Sequence, residues 1–196
     1  MSGKMEIVKK KCTTPKGRVS FPHVFTAHRV KPTDEPKYQL TLLFPNNADL
    51  KELKRAANNA AIEKWGADEK KWPKAMKMPF RDGNDKEDME GYKDQIFVYS
   101  SSKKMPGLVD HERNSITNEE SFYAGCYARA TLIAFAYDVS GNKGVSFSLQ
   151  NVQKLGEGKP FSGRRKAEDD FDSVEEQSSV DGANDEKNYA EDDLGC

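Results

Sequence analysis

Asp82, Asp85 and Asp88 fall within "DGNDKEDMEG", residues 82–91, a density of carboxylates that could hold a divalent ion. A calcium loop would need an oxygen ligand at its fifth position and a bidentate glutamate at its twelfth. Those positions are Lys86 and Lys93, so that chemistry fails. What survives for the 82–90 carboxylates is a metal-dependent nuclease, set beside the plainer reading of a solvated acidic loop. Other catalytic patterns do not form. "SGNKGVS" lacks the spacing of a phosphate loop, and no G-x-S-x-G elbow occurs. His23, His28 and His111 do not combine with cysteine at zinc spacing. No enzymatic activity, cofactor or metal is expected.

A second chemistry is stacking. In "QIFVYSSS" (95–102), alternation sets Ile96 and Val98 on one face and Gln95, Phe97 and Tyr99 on the other. In "YAGCYARATLIAFAYD" (123–138), one face is Cys126, Ala128, Ala130, Leu132, Ala134 and Ala136. The other is Tyr127, Arg129, Thr131, Ile133, Phe135 and Tyr137. Lys77, Arg81, Lys93, Lys103 and Lys104 lie near these runs in sequence. Rings on a sheet with cations around them suit single-stranded nucleic acid: bases stack on the rings and Lys and Arg meet the phosphates. Core packing of Ile133 and Phe135, with the alanines toward a helix, is the competing reading. Tyr99 and Tyr137 are the stronger stacking candidates, because a tyrosine keeps its hydroxyl wet while its ring packs.

These residues need elements to position them. "GRVSFPHVFTAHRV" reads as a first extended segment, with Pro22 marking an edge or a bulge. "YQLTLLF" (38–44) is a strand ended by Pro45. Leu50, Leu53, Ala57, Ala61 and Trp65 recur at helical spacing, and Gly66 fits the stop. Residues 66–94 form a long polar excursion, and "KKMPGLVDHERNSITNEE" reads as loop with one short strand. "VSGNKG" turns the long strand back into "GVSFSLQNVQKL". Strands dominate, with one inserted helix and no βαβ rhythm, so the expected class is mainly β, an antiparallel barrel or sandwich.

Charge divides the chain. It holds 31 basic and 32 acidic residues, yet residues 167–196 carry twelve acids and one base, net −11. The preceding 166 residues carry 30 bases and 20 acids, net +10. A cationic body asks for an anionic partner, and a tail so acidic is expected to be solvated and disordered. Such a tail can contend with nucleic acid for the body's cationic surface. Simple solubility is the alternative role. No apolar run is long enough to span a membrane, and three widely spaced cysteines predict a reduced, cytoplasmic protein. The expected organisation is a flexible basic segment at 1–16, a binding domain at 17–160 and an acidic tail at 161–196.

The chain is similar to the OB-fold single-stranded-DNA-binding proteins of tailed bacteriophages. The resemblance rests on "RVSFPHVF", "KYQLTLLFP", "MPFRDGNDKEDMEGYKDQIFVYSSS", "MPGLVD" and "FYAGCYARATLIAFAYDVSGNKGVSFSLQNVQKL", in that order, followed by the acidic tail. It implies a five-stranded antiparallel OB barrel with an inserted helix, and DNA bound with little sequence preference during replication or recombination. It places DNA contacts on Arg81, Tyr92, Tyr99, Arg129 and Tyr137, with Lys103 and Lys104 on a flanking loop. Lys93, Phe97 and Tyr127 complete the expected set from the strand patterns. The tail is expected to recruit phage or host replication proteins, a polymerase or helicase–primase, in the cytoplasm of the infected bacterium. Its candidate contacts are Phe171, Asp172, Glu191, Asp192, Asp193 and Leu194. Family tails commonly end on an aromatic residue; this one ends Leu194-Gly195-Cys196, so Leu194 or the internal Phe171 would serve as anchor. Oligomeric state is left between monomer and homodimer. RNA binding and a purely protein-binding adaptor are the remaining alternatives.

Overall fold

Small residues alternating along one strand decide how closely a helix can approach it. The computed structural model describes residues 10–161. In it the long strand, Tyr127–Val139, turns its Ala128, Ala130, Leu132 and Ala134 inward. Against that face lies helix α1, Lys51–Trp65, which buries Leu53, Ala56, Ala57, Ala60 and Ala61. No side chain caps the start of α1, although Asp49 Oδ1 accepts from the Lys51 N–H at 3.0 Å. The Gly66 N–H donates to the Ile62 carbonyl and ends it, as its position in sequence predicts.

Among the described residues eight strands form one sheet: β1 Lys11–Thr13, β2 Gly17–His28, β3 Lys37–Pro45, β4 Phe80–Asp82, β5 Gln95–Ser102, β6 Gly107–Val109, β7 Tyr127–Val139 and β8 Asn142–Gly156. The expected five strands are thereby corrected. Three of the eight are three residues long, too short to show a periodicity in sequence. One of them, β1, lies in the lead-in expected to be loose through residue 16, and pairs Cys12 with Leu132. The five longer strands pair in a circuit: β2 with β3, β3 with β5, β5 in parallel with β8, β8 with β7, and β7 with β2. Between β7 and β8 the chain reverses through Ser140 and Gly141, both at positive φ, the two-residue turn that matches strand twist. The bulge expected near Pro22 is present: pairing of β2 with β3 shifts between Ser20 and His23, and Phe21 adopts a φ of 47°.

The main core fills the inside of this circuit. Val19, Leu40, Leu42, Phe44, Val98, Leu132, Phe147 and Leu149 are its centre. Cys12 and Cys126 are buried free thiols, and burial, with a smaller push from Glu52, raises Cys12 to about 11. Neither is a reactive nucleophile at neutral pH.

A second, smaller core lies on the outer face of the sheet. Leu43, Tyr92 and Phe97 are buried there, with Met89 and Phe161 packed on them. The excursion after α1 makes it: residues 83–92 fold over β3 and β5. The Tyr92 ring meets Phe97 edge-on at 5.3 Å, and its hydroxyl shares a 3.1 Å hydrogen bond with Ser20 Oγ. This cluster makes the outer sheet face partly interior, which alternation within β5 alone cannot reveal.

Tyr92→Phe removes one buried hydrogen bond and is expected to cost about 1 kcal/mol, whereas Tyr92→Ala empties the cluster and should cost ~3–5 kcal/mol. At roughly 2–4 °C per kcal/mol for a domain of this size, thermal unfolding separates the two easily.

Candidate nucleic-acid interface

The outer face of β3 and β5 carries one accessible ring. Tyr99 stands opposite Thr41 on β3 and is half-buried. It lines a cavity of about 310 Å³ with Val30, Asp34, Glu35, Lys37 and Gln39. Burial raises its pKa first, Asp34 adds to the rise, and a hydrogen bond with Ser101 opposes it, so the phenol is neutral across the physiological range. Lys103, expected as a free phosphate contact, forms an ion pair with Glu35. Lys103 in turn lowers the pKa of Glu35 through that contact. The neighbouring Lys104 is exposed, its N–H donating to Ser102 Oγ at 3.0 Å.

Alternation along β7 follows the sequence reading. Tyr127, Thr131, Ile133 and Tyr137 are half-buried, and Arg129 and Phe135 are exposed. Phe135, 42 % exposed, is therefore not a core residue. Tyr137 lies against its partner Gly144 on β8: a Cβ there would come within 2.5 Å of the Lys77 carbonyl oxygen and 2.6 Å of the Tyr137 hydroxyl. Only glycine leaves room for the ring there. Arg129 is braced by Gln153, its Nε donating to Oε1 at 2.9 Å. Arg81, on β4, pairs with Phe97 and is exposed.

Two expected contacts are corrected. Tyr92 is 2 % exposed and Phe97 5 %, so both are core residues of the outer cluster and neither can stack a base. Lys93 and Tyr127 come together, around a cavity that also takes Lys16 and Arg18. Sequence reasoning missed the last two. Arg18 alternates with buried Val19 in "GRVSF", which marks it as outward, but nothing local to it points to Tyr127. Tyr99 and Tyr137 stand on different strands, and no ring contact joins them.

Of the carboxylate cluster, Asp82 has a structural role. Asp82 Oδ1 accepts the Asn84 N–H at 2.9 Å and so caps the short 3-10 turn Gly83–Lys86. Among the described residues no three His, Cys, Asp or Glu side chains converge on a metal-sized site. The tail candidates Phe171, Asp172, Glu191, Asp192, Asp193 and Leu194 lie outside the described residues.

Comparison with known proteins gives this geometry its context. A family model described as the ssDNA-binding protein of Enterobacter phage Enc34 matches residues 10–181. Putative protein p50 of Acyrthosiphon pisum secondary endosymbiont phage 1 is 32 % identical over 173 residues, 82 % of this chain and 93 % of that protein. Among solved structures, the single-stranded DNA-binding protein of bacteriophage Enc34 in complex with ssDNA superposes with a TM-score of 0.67 at 19 % identity. That match covers 78 % of this chain and 90 % of the other. Gp2.5, a single-stranded DNA binding protein encoded by bacteriophage T7, superposes with a TM-score of 0.55 at 13 % identity, over 82 % of this chain and 99 % of that one. At these identities the two structures speak for a shared fold, while the family match spans every described residue and part of the acidic tail. The chain therefore belongs to the phage single-stranded-DNA-binding protein family typified by that of Enterobacter phage Enc34.

Proposed function

We propose that this protein binds single-stranded DNA in phage replication or recombination, as a non-enzymatic coat with little sequence preference. The family match over residues 10–181 carries this reading. The circuit of β2, β3, β5, β8 and β7 is read as the OB barrel, with β1, β4 and β6 as accessory strands. The net charge of +10 on the first 166 residues supplies the attraction to phosphate. No helix among the described residues is long and apolar enough to cross a membrane.

Within this reading Tyr99 stacks a base, because it is the accessible ring on the outer face of β3 and β5. Arg81, Lys104, Arg129 and Tyr137 are the flanking contacts, and Lys103 joins them once it leaves Glu35. The acidic tail contends for the same cationic surface, and when DNA displaces it, the tail is available to replication proteins. The +10/−11 division of charge motivates that role.

Titration of a labelled oligo-dT by fluorescence anisotropy tests the reading. Tyr99→Ala should weaken binding by roughly ten- to a hundredfold, the cost of a lost stack at ~1–3 kcal/mol per base. Tyr92→Phe, by contrast, should leave affinity unchanged. Equal affinity in a folded Tyr99→Ala variant would remove Tyr99 from the interface. Truncation after Lys166 should tighten binding, most at low salt, where charges interact over the longest range; unchanged or weaker binding would refute competition by the tail.

A further inference from the structure

Phosphate contacts are favoured where cations outnumber acids, and the cavity at Tyr99 has the opposite balance. Its walls hold Asp34 and Glu35 against Lys37, and Lys103 beside it is paired with Glu35. The opposite end of the same two strands has the reverse character. Lys16, Gly17, Arg18, Leu43, Pro45, Gly91, Lys93, Gln95 and Tyr127 enclose a cavity of about 350 Å³. Three of these are cations and none is an acid. None of the three enters any of the ion pairs formed among the described residues. Glu90, adjacent to Gly91 in sequence, is instead turned to Lys159 at 3.7 Å.

The cavity is built, not incidental. Arg18 is fixed by two backbone carbonyls, with Nε donating to Gly125 at 3.1 Å and Nη2 to Lys159 at 2.6 Å. Two rings flank its guanidinium, Phe161 at 4.3 Å and Tyr127 at 5.9 Å to their centroids. Lys16 lies over Tyr127 from 5.3 Å. Gly91, at a φ of 86°, lets the Phe161 ring come so close that a Cβ would sit 2.3 Å from it. Arg18 is thus a fixed charge behind the cavity, while exposed Lys16 and Lys93 are free to reach a ligand. A phosphate held by two exposed ammonium groups beside a tyrosine ring is the chemistry of a nucleotide position on a single strand.

We propose that Lys16, Lys93 and Tyr127, backed by Arg18, form a second nucleotide-binding position, at the opposite end of the outer face from Tyr99. The proposal rests on the single-strand-binding reading above and assigns where the phosphate charge is met. Gln95 in this cavity and Tyr99 in the other are four residues apart on β5, about 13 Å at the rise of a strand. At ~3.4 Å per nucleotide, the compact rise of a strand within a duplex, at most about four nucleotides connect the two positions. That fits within the ~4–16 nucleotides taken by one OB fold. The connecting nucleotides would cross the Tyr92–Phe97 cluster, so that segment 83–92 acts as the ridge between two contact points.

The test uses the full-length chain, a labelled dT oligomer of about fifteen nucleotides and a series of salt concentrations. Lys16→Ala/Lys93→Ala changes two exposed side chains and should preserve the circular dichroism and Tm of the unaltered protein. It is expected to weaken binding about tenfold or more at low salt. The slope of log affinity against log salt should shrink by about 1.4, two phosphates at ~0.7 each. Tyr127→Leu should weaken binding with the slope unchanged, since it removes a stack and no charge. Unaltered affinity and slope in the double variant would overturn the proposal. So would tighter binding, which would mean that the cavity holds an acidic protein segment in place of DNA. If the unaltered protein itself failed to bind the oligomer, the single-strand reading would fall, and this proposal with it.

Discussion

Alanine packed on alanine is the contact on which the rest of this molecule depends. Ala56, Ala57, Ala60 and Ala61 of α1 and Ala128, Ala130 and Ala134 of β7 are all essentially buried. Small side chains on both surfaces let the helix sit close to the strand without a layer of larger residues between them. The consequence reaches the opposite side of the strand. The rings and the arginine of β7 stand at the positions alternate to this row and face away from the helix. Tyr127, Arg129, Phe135 and Tyr137 are thus delivered to the outer face by the requirements of the inner one. A large residue in place of Ala128, Ala130 or Ala134 would crowd the helix, so outer surface and core are coupled through one strand.

The outer face is not uniform. Residues 83–92 cover its middle with Tyr92 and close it over Leu43 and Phe97. What is left open is a cavity at each end, one around Tyr99 and one around Lys16, Arg18, Lys93 and Tyr127. The first offers a ring but mixed charge; the second offers charge and a ring together. A polyanion that stacks its bases uses both kinds of contact. The long polar excursion therefore has a definite physical role: it stabilises the exterior of the sheet and separates the two cavities.

The chain's own composition already determined a good deal. Alternation along 123–138 identified the inward and outward rows of β7, because a strand's period of two is local and unaffected by distant partners. The helix appeared in the spacing of Leu53, Ala57 and Ala61, its end in Gly66, and the hairpin in "VSGNKG". The division of charge implies an anionic partner, and the ordered motifs carry the resemblance to phage single-strand-binding proteins. Where only tertiary structure could decide, the reason is long-range contact. Phe97 alternates with Val98 as an exposed ring would, and it is buried only because Tyr92 arrives from a separate segment. Lys103 has the composition of a phosphate contact, yet Glu35, from the loop between β2 and β3, neutralises it. Arg18 and Tyr127 are brought to one cavity by the pairing of β2 with β7, which no local period encodes. Burial and ion pairing are properties of neighbours in space, and the sequence orders only neighbours along the chain.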